Sequence, residues 1–199
     1  MRPRLGLVVA LAAAALLLAG TAAWLTLSQP AASSRGVASI GGSFELIDQD
    51  GRAVTDRYLL GKPSAIFFGF THCPDVCPTT LLQMSTWLGA LGADADKLNA
   101  VFVSVDWERD TPEQLKLYLS SFDPRIRGFT GTEAQIRRIT KAYRVYYKRV
   151  ELDGGGFTYD HSAAIYLMSR SGSYFGVLGH NDADDEAVAK LKRLIAAGQ

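Results

Sequence analysis

The sequence is poor in cysteine and histidine and carries no strong excess of charge. Among its 199 residues are only two cysteines and three histidines, and its formal net charge is +1. Two cysteines cannot build the framework of a disulfide-rich secreted domain. Without a dense excess of Lys and Arg, the chain is not typical of nucleic-acid-binding proteins, so we expect no nucleic-acid partner. Hydrophobic residues make up 48% and charged residues 21%, a composition that indicates a globular protein.

The apolar residues are concentrated at the N-terminus. Residues 5–27 form an uncharged run of 23 residues. A helix of that length extends about 34 Å, enough to cross a hydrocarbon layer of about 30 Å. The apolar core of a cleaved signal peptide is shorter, about 7 to 15 residues. We therefore predict an uncleaved membrane anchor over residues 1–28, with a cleaved signal peptide as the alternative.

The charges beside this run predict its orientation. Arg2 and Arg4 precede it, and only Arg35 follows it closely. Because positive residues stay on the cytoplasmic side, the rest of the chain is expected outside the cytoplasm. This predicts a single-pass protein of the bacterial inner membrane whose soluble domain faces the periplasm.

The segment after the anchor is rich in Ala, Ser and Gly, which predicts a flexible tether over residues 29–42. The folded domain is then expected over residues 43–199. It begins with a hairpin signal, because two short apolar segments, residues 44–47 and 53–54, flank the turn sequence Asp48-Gln-Asp-Gly51.

The remaining pattern alternates strands with helices. Residues 65–70 and 100–105 are short apolar runs that predict buried parallel strands, joined by a helix over residues 79–91. Thr111 and Thr132 are each followed three residues later by Gln, so helices should begin there. Further strands are predicted near 143–150, at 163–168 and at 174–178, with a last helix after Asp182. The pattern predicts a three-layer α/β/α domain with an extra N-terminal hairpin.

Both cysteines, Cys73 and Cys77, lie in one short segment between a predicted strand and a predicted helix. A helix N-terminus stabilises negative charge and therefore favours thiolates. A structural disulfide here would close a loop of about five residues and contribute only about 2 kcal/mol. Two functional interpretations remain, a metal clamp and a redox-active dithiol.

His161 is the histidine best placed to join the cysteines. It directly precedes the predicted strand 163–168, whereas His180 lies in a solvated turn and the side chain of His72 should point away from that of its neighbour Cys73. Soft thiolates select Cu(I), and one imidazole would complete a three-coordinate site, while structural zinc sites need four ligands. Asp160 could orient the imidazole or serve as a turn residue; both interpretations stay open.

Six segments in consistent order carry a more specific resemblance. They are Gly61-Lys-Pro63, Phe67-Phe-Gly-Phe-Thr-His-Cys-Pro-Asp-Val-Cys-Pro-Thr79, Val103-Ser-Val-Asp106, Arg109-Asp-Thr-Pro112, Tyr143-Arg-Val-Tyr-Tyr147 and Asp160-His-Ser162. Over roughly residues 40–197 the chain resembles the Sco/SenC family of copper chaperones. The resemblance implies a thioredoxin-like fold after one transmembrane helix, and it implies Cys73, Cys77 and His161 as ligands of one copper ion, Cu(I) or Cu(II), per chain. Trp107 departs from the family pattern, which usually has Pro there.

The resemblance also implies a function. The chain would be a membrane-anchored copper chaperone that delivers copper to the dinuclear copper site of cytochrome c oxidase. Its partners would be the copper-site subunit and other periplasmic copper donors, and it would not be an enzyme in the turnover sense. The alternative is a thiol-disulfide reductase that keeps the acceptor's copper-site cysteines reduced. A sensing role has no dedicated sequence feature.

Overall fold

The computed structural model describes residues 40–197 and five earlier residues with helical backbone: Ala14, Leu17, Gly20, Thr21 and Trp24. The chain divides into two units, 1–38 and 39–199. Most of the predicted anchor (1–28) and most of the predicted tether (29–42) lie outside the described residues. Within the described part, no helix combines the length and the apolar character needed to cross a membrane.

Residues 40–197 contain nine strands and four α-helices. The strands are β1 (Glu45–Asp48), β2 (Ala53–Thr55), β3 (Ser64–Gly69), β4 (Asn99–Ser104), β5 (Ile126–Thr130), β6 (Tyr147–Glu151), β7 (Phe157–His161), β8 (Ile165–Met168) and β9 (Tyr174–Leu178). The helices are α1 (Val76–Leu91), α2 (Pro112–Leu119), α3 (Glu133–Tyr143) and α4 (Asp184–Ala196). Short 3-10 helices lie at Asp56–Leu59 and Gly92–Lys97.

Seven of the strands form one sheet in the order β2-β1-β5-β4-β3-β8-β9, and β6 and β7 form a separate hairpin. The predicted β1–β2 hairpin and the predicted parallel pair β3–β4 are confirmed. Because the carboxyl ends of parallel strands lie at one edge of a sheet, the loops after Gly69 and Ser104 meet there. This edge carries the chemistry described below.

Helices cover both faces of the sheet, as the sequence predicts. Neighbouring residues of a strand point to opposite faces. Phe67 of β3 packs against Phe102 of β4, whose ring contacts Tyr118 of α2. The next residue, Phe68, packs on the other face against Tyr143 of α3.

Helices α1 and α4 join α2 on its face of the sheet. Met84 and Trp87 of α1 and Leu191 of α4 line one small apolar cavity together with Ala65 of β3. All of these side chains are buried. The three-layer α/β/α prediction is therefore confirmed.

Several predicted boundaries are wrong. Helix α1 begins at Val76, three residues before the predicted start, because Pro78 fits the first turn, where its missing N–H has no intrahelical partner. The strand predicted from residue 143 begins only at Tyr147, since α3 continues through Tyr143 and ends at Arg144 in the left-handed conformation. The predicted helix starts at Thr111 and Thr132 are confirmed, and both side chains cap their helices.

Two strands were not predicted. The sequence of β5, Ile-Arg-Gly-Phe-Thr, places Arg127 and Gly128 in its centre and has no apolar run. In β7, polar residues alternate with aromatic ones, and only Tyr159 is buried. Both are strands because of their pairing partners rather than their own composition.

Gly69 ends β3 at the point where α1 approaches the sheet. A Cβ atom there would lie 2.7 Å from Cys77 Sγ and 2.9 Å from Phe102 Cε2. We expect Gly69→Ala to lower the free energy of unfolding by about 1–3 kcal/mol, because both neighbours are buried and cannot yield freely. Urea unfolding of the Gly69→Ala variant and of the unmodified protein measures the difference in the free energy of unfolding.

The matched control is Gly89→Ala in α1, where a Cβ atom meets nothing within 4 Å. Alanine should stabilise the helix there by about 0.5–1 kcal/mol. Equal effects at the two positions would contradict the close approach at Gly69.

Candidate metal centre

The two cysteines are positioned by the connection from β3 to α1. Cys73 lies in the loop and is partly exposed, whereas Cys77 lies in the first turn of α1 and is fully buried, with 0% of its surface exposed. The backbone N–H of Cys77 donates to Cys73 Sγ over 3.4 Å. Both cysteines are free thiols.

The histidine reaches the same point from a distant part of the chain. His161 is the last residue of β7 and pairs with Tyr147 of β6. Its ring packs beside Phe67 and Phe70, with ring centroids 6.2 and 5.7 Å away. The hairpin is held to the domain partly by Arg109, whose Nη1 donates to the Phe157 carbonyl over 3.0 Å.

The structure brings the three predicted site residues together. The Sγ atoms of Cys73 and Cys77 and a ring nitrogen of His161 all lie within 4.8 Å of one another. Cys77 Sγ and His161 Nε2 are 3.3 Å apart, although the two residues are separated by 84 positions in the chain. Two soft sulfur atoms and one imidazole nitrogen at this spacing form a donor set suited to a single copper ion.

The hydrogen bond at the far side of the imidazole fixes its tautomer. His161 Nδ1 lies 3.0 Å from the Ser162 carbonyl oxygen. A carbonyl only accepts, so Nδ1 carries the hydrogen and Nε2 presents its lone pair toward Cys77. The interpretation of Asp160 as the orienting group is wrong, because its carboxylate accepts instead from the Tyr146 hydroxyl over 3.3 Å. Asp160 is also a strand residue of β7 rather than a turn residue.

The two thiols differ in acidity. Hydrogen bonding from the Cys77 thiol lowers the pKa of Cys73 to about 4; hydrogen bonds with the backbone of Asp75 and Cys77 add to this lowering, while burial opposes it. The same hydrogen bond, together with burial, raises the pKa of Cys77. At neutral pH the pair therefore holds one thiolate, on Cys73, and one thiol, on Cys77.

A buried carboxylate anchors the start of the cysteine loop, and sequence reasoning missed it. Asp110, whose side chain is 0% exposed, accepts from Thr71 N over 2.9 Å, from Thr71 Oγ1 over 2.7 Å and from Ser104 Oγ. The sequence did carry one signal for its position. Asp110 follows β4 closely, and β4 ends at the same edge of the sheet as β3, which leads into the cysteine loop. Its burial could not be read from the sequence.

Trp107, the departure from the family pattern, supports the hairpin. Its ring packs on Tyr147 and Tyr159, with centroids 6.4 and 6.1 Å away. Tyr147 is the cross-strand partner of His161. The loop that differs thus contacts the element that carries the imidazole.

Comparison with known proteins agrees with this geometry. Residues 32–196 match the SCO1/SenC family. The chain belongs to this family. It is 40% identical over 163 residues to the mitochondrial SCO1 homolog 1 of Arabidopsis thaliana, which covers 81% of this chain and 49% of that protein. It is also 43% identical over 137 residues to a SCO2-like protein of Rickettsia prowazekii, covering 68% and 67% of the two chains.

Solved SCO1/SenC structures share the fold. The copper-bound ScoI of Bradyrhizobium japonicum superposes with a TM-score of 0.74 at 54% identity, covering 78% of this chain and 99% of that one. Copper-bound yeast Sco1 gives 0.74 at 38% identity, covering 81% and 91%. The mixed α/β fold is therefore thioredoxin-like, as the resemblance implied. The chain spans about half the length of the first curated relatives it matches, 49% and 55%.

The acidity of Cys73 in this SCO1/SenC chain can be measured by alkylation. A thiolate forms as pH rises through the pKa, so a group with a pKa near 4 is already ionised well below neutrality. Between about pH 6 and pH 8 the alkylation rate of Cys73 should stay nearly constant, whereas an ordinary thiol of pKa about 8.5 reacts about tenfold faster per pH unit. Iodoacetamide labelling followed by mass spectrometry measures the rate at each cysteine.

Two variants test the cause. Cys77→Ser keeps a hydroxyl that can donate to Cys73, so the flat pH profile should persist. Cys77→Ala removes the donor, so the pKa of Cys73 should rise and the profile should steepen. A steep profile in the unmodified chain would contradict the assignment of the thiolate to Cys73.

Proposed function

We propose that the chain is a copper chaperone that holds one copper ion at Cys73, Cys77 and His161 and delivers it to the dinuclear copper site of cytochrome c oxidase. The observation that carries the proposal is the convergence of two sulfur atoms and one imidazole nitrogen within 4.8 Å. The solved structure of BsSco is described as that of a member of the Sco family of cytochrome c oxidase assembly proteins, and the 54% identical ScoI structure contains copper. Transfer of copper would make the chain a carrier rather than an enzyme.

The donor set favours copper over zinc. Structural zinc sites use four protein ligands, and in residues 40–197 the cluster offers three. Two thiolates bind Cu(I) with a net charge of −1 and Cu(II) with a net charge of 0, so one site accommodates both ions. A three-ligand site with a partly exposed sulfur also leaves room for an incoming ligand from an acceptor.

We propose that the chaperone works at the periplasmic face of the bacterial inner membrane. The uncharged run of residues 5–27 supports a membrane anchor, and Arg2 and Arg4 support a cytoplasmic N-terminus. Other periplasmic copper proteins would supply the ion, and the copper-site subunit of the oxidase would receive it.

A second candidate function is favoured by the asymmetry of the thiols. Cys73 is partly exposed and has a lowered pKa, while Cys77 is buried and has a raised one. Such a pair suits a thiol-disulfide reductase. Cys73 thiolate would attack an acceptor disulfide and release one acceptor thiolate. Cys77 would then displace the second, so that the acceptor gains two thiols and this chain is oxidised to a disulfide.

Removing the imidazole separates the two functions. His161→Ala should weaken copper binding by about tenfold to 100-fold or more. Losing a residue that only hydrogen-bonds to a metal ligand already lowers affinity by that much, and His161 would be a ligand itself. Thiol exchange with a model disulfide should continue, because both cysteines remain. Competition with a Cu(I) chelator measures the affinity, and the exchange is followed by the release of a chromogenic thiol.

His180→Ala is the matched control, because His180 lies in an exposed turn before α4. It should bind one copper per chain with unchanged affinity. Stoichiometric copper with unchanged affinity in His161→Ala would contradict the ligand assignment.

Deletion of the gene in its host tests delivery directly. Loss of cytochrome c oxidase activity that is restored by added copper is the expected result, because excess copper bypasses a carrier. Restoration by a plasmid carrying the unmodified sequence, but not by one carrying His161→Ala, is expected as well. Activity that copper fails to restore, with acceptor cysteines trapped as a disulfide, would favour the reductase.

A further inference from the structure

His72 is a second imidazole, on the residue directly before Cys73, and the metal centre does not use it. Its side chain is 49% exposed, whereas Cys77 is 0% exposed. It lines an open surface groove with Thr71, Leu117 and other residues of the α2 region. A protein that donates copper to this chain could therefore reach His72 without entering the core.

A directed chain of hydrogen bonds holds this imidazole. Thr71 Oγ1 donates its single hydrogen to Asp110 Oδ1 over 2.7 Å. The same oxygen lies 3.1 Å from His72 Nδ1 and must accept there, so Nδ1 carries the hydrogen. His72 Nε2 is left with its lone pair, and no hydrogen bond to it is found among residues 40–197. This is the arrangement in which proteins present an imidazole to a metal.

Of the two carboxylates near His72, only Asp110 takes part in this orientation, and the pair has no free ligand atoms to form a cation site with it. His72, Asp106 and Asp110 have ligand atoms within 4.8 Å of one another. Asp106, however, accepts from Arg109 N and pairs with the Arg109 guanidinium, while Asp110 is occupied by both donors of Thr71. Both carboxylates thus already have donors of their own.

We propose that His72 is an outer ligand through which copper enters and leaves the centre formed by Cys73, Cys77 and His161. The inference rests on the proposed copper-carrier function and names a residue that the ion contacts before it reaches its final site. Cys73 is the next residue in the chain and the more exposed of the two cysteines. The ion would therefore pass from an exposed imidazole to the partly exposed sulfur of Cys73 and then to the buried sulfur of Cys77.

The transfer is a series of ligand exchanges with no change in the oxidation state of copper. His72 Nε2 donates its lone pair to the ion as one ligand of the copper donor leaves. Cys73 Sγ, the more exposed of the two sulfurs, then binds as a thiolate while a second ligand of the copper donor leaves. Cys77 Sγ binds last as a thiolate, any proton held by either sulfur passes to solvent, and His161 Nε2 takes the place of His72.

The experiment compares the rate of loading with the affinity. The full chain, reduced, is mixed with Cu(I) bicinchoninate, and the loss of chelate colour is followed by stopped flow. His72→Gln should slow loading and unloading alike, by about tenfold, because an outer ligand changes the path and not the end state. The equilibrium affinity and the stoichiometry of one copper should be unchanged.

His180→Gln, at another exposed histidine, should load at the unmodified rate. Equal loading rates for His72→Gln and the unmodified chain would overturn the inference. A weakened affinity with an unchanged loading rate would also overturn it, because His72 would then be a ligand of the final site. Failure of the unmodified chain to take up any copper would overturn the proposed function itself and is distinguishable from both.

A second measurement does not depend on loading rates. In a chain carrying Cys73→Ser and Cys77→Ser, the inner thiolates are absent. Substoichiometric Cu(II) should broaden the NMR signal of His72 Nε2 before that of His180, because the imidazole of His72 is held in the metal-binding tautomer. Broadening of His180 first, or of both equally, would overturn the inference.

Discussion

The contact of 3.3 Å between Cys77 Sγ and His161 Nε2 depends on how closely α1 and the β6–β7 hairpin approach the end of β3. Gly69 leaves space for the sulfur atom, since any side chain there would collide with it. On the other side, the rings of Phe67 and Phe70 position the imidazole. The metal centre is therefore a product of core packing at one sheet edge, and the strength of that packing limits how far the ligands can separate.

Buried polar groups make this edge rigid. A carboxyl group away from water is costly unless hydrogen-bond partners surround it. Asp110 meets that requirement with Thr71 and Ser104, and in doing so ties the cysteine loop to the end of β4. The same network continues outward to His72. One structural carboxylate thereby connects the fixed geometry inside the domain with an oriented imidazole at its surface.

The proposed copper carrier must bind its ion and also release it, and the asymmetry of the two thiols suits both tasks. The buried Cys77 shares a well-defined position with His161, while Cys73 remains within reach of solvent. The hydrogen bond between the thiols keeps one of them ionised without a metal, so a ligand is ready when copper arrives. The same ionised sulfur could attack a disulfide, so one arrangement of thiols suits both proposed functions, copper carrier and thiol-disulfide reductase.

The sequence alone determined the features that depend on neighbours in the chain. These include the helical capping residues, the β1–β2 hairpin and the placement of both cysteines between a strand and a helix. Only the tertiary structure decided that His161, the imidazole predicted from the sequence, comes within 3.3 Å of a sulfur atom, that Ser162 rather than Asp160 orients it, and that Asp110 is buried. The contact between Thr71 and Asp110 joins residues 39 positions apart, and that between Cys77 and His161 joins residues 84 positions apart. The contact with Ser162 depends on the path of the backbone at the end of β7. Strand order and hairpin packing set such distances, and these arise from the pairing of the whole sheet rather than from any local pattern.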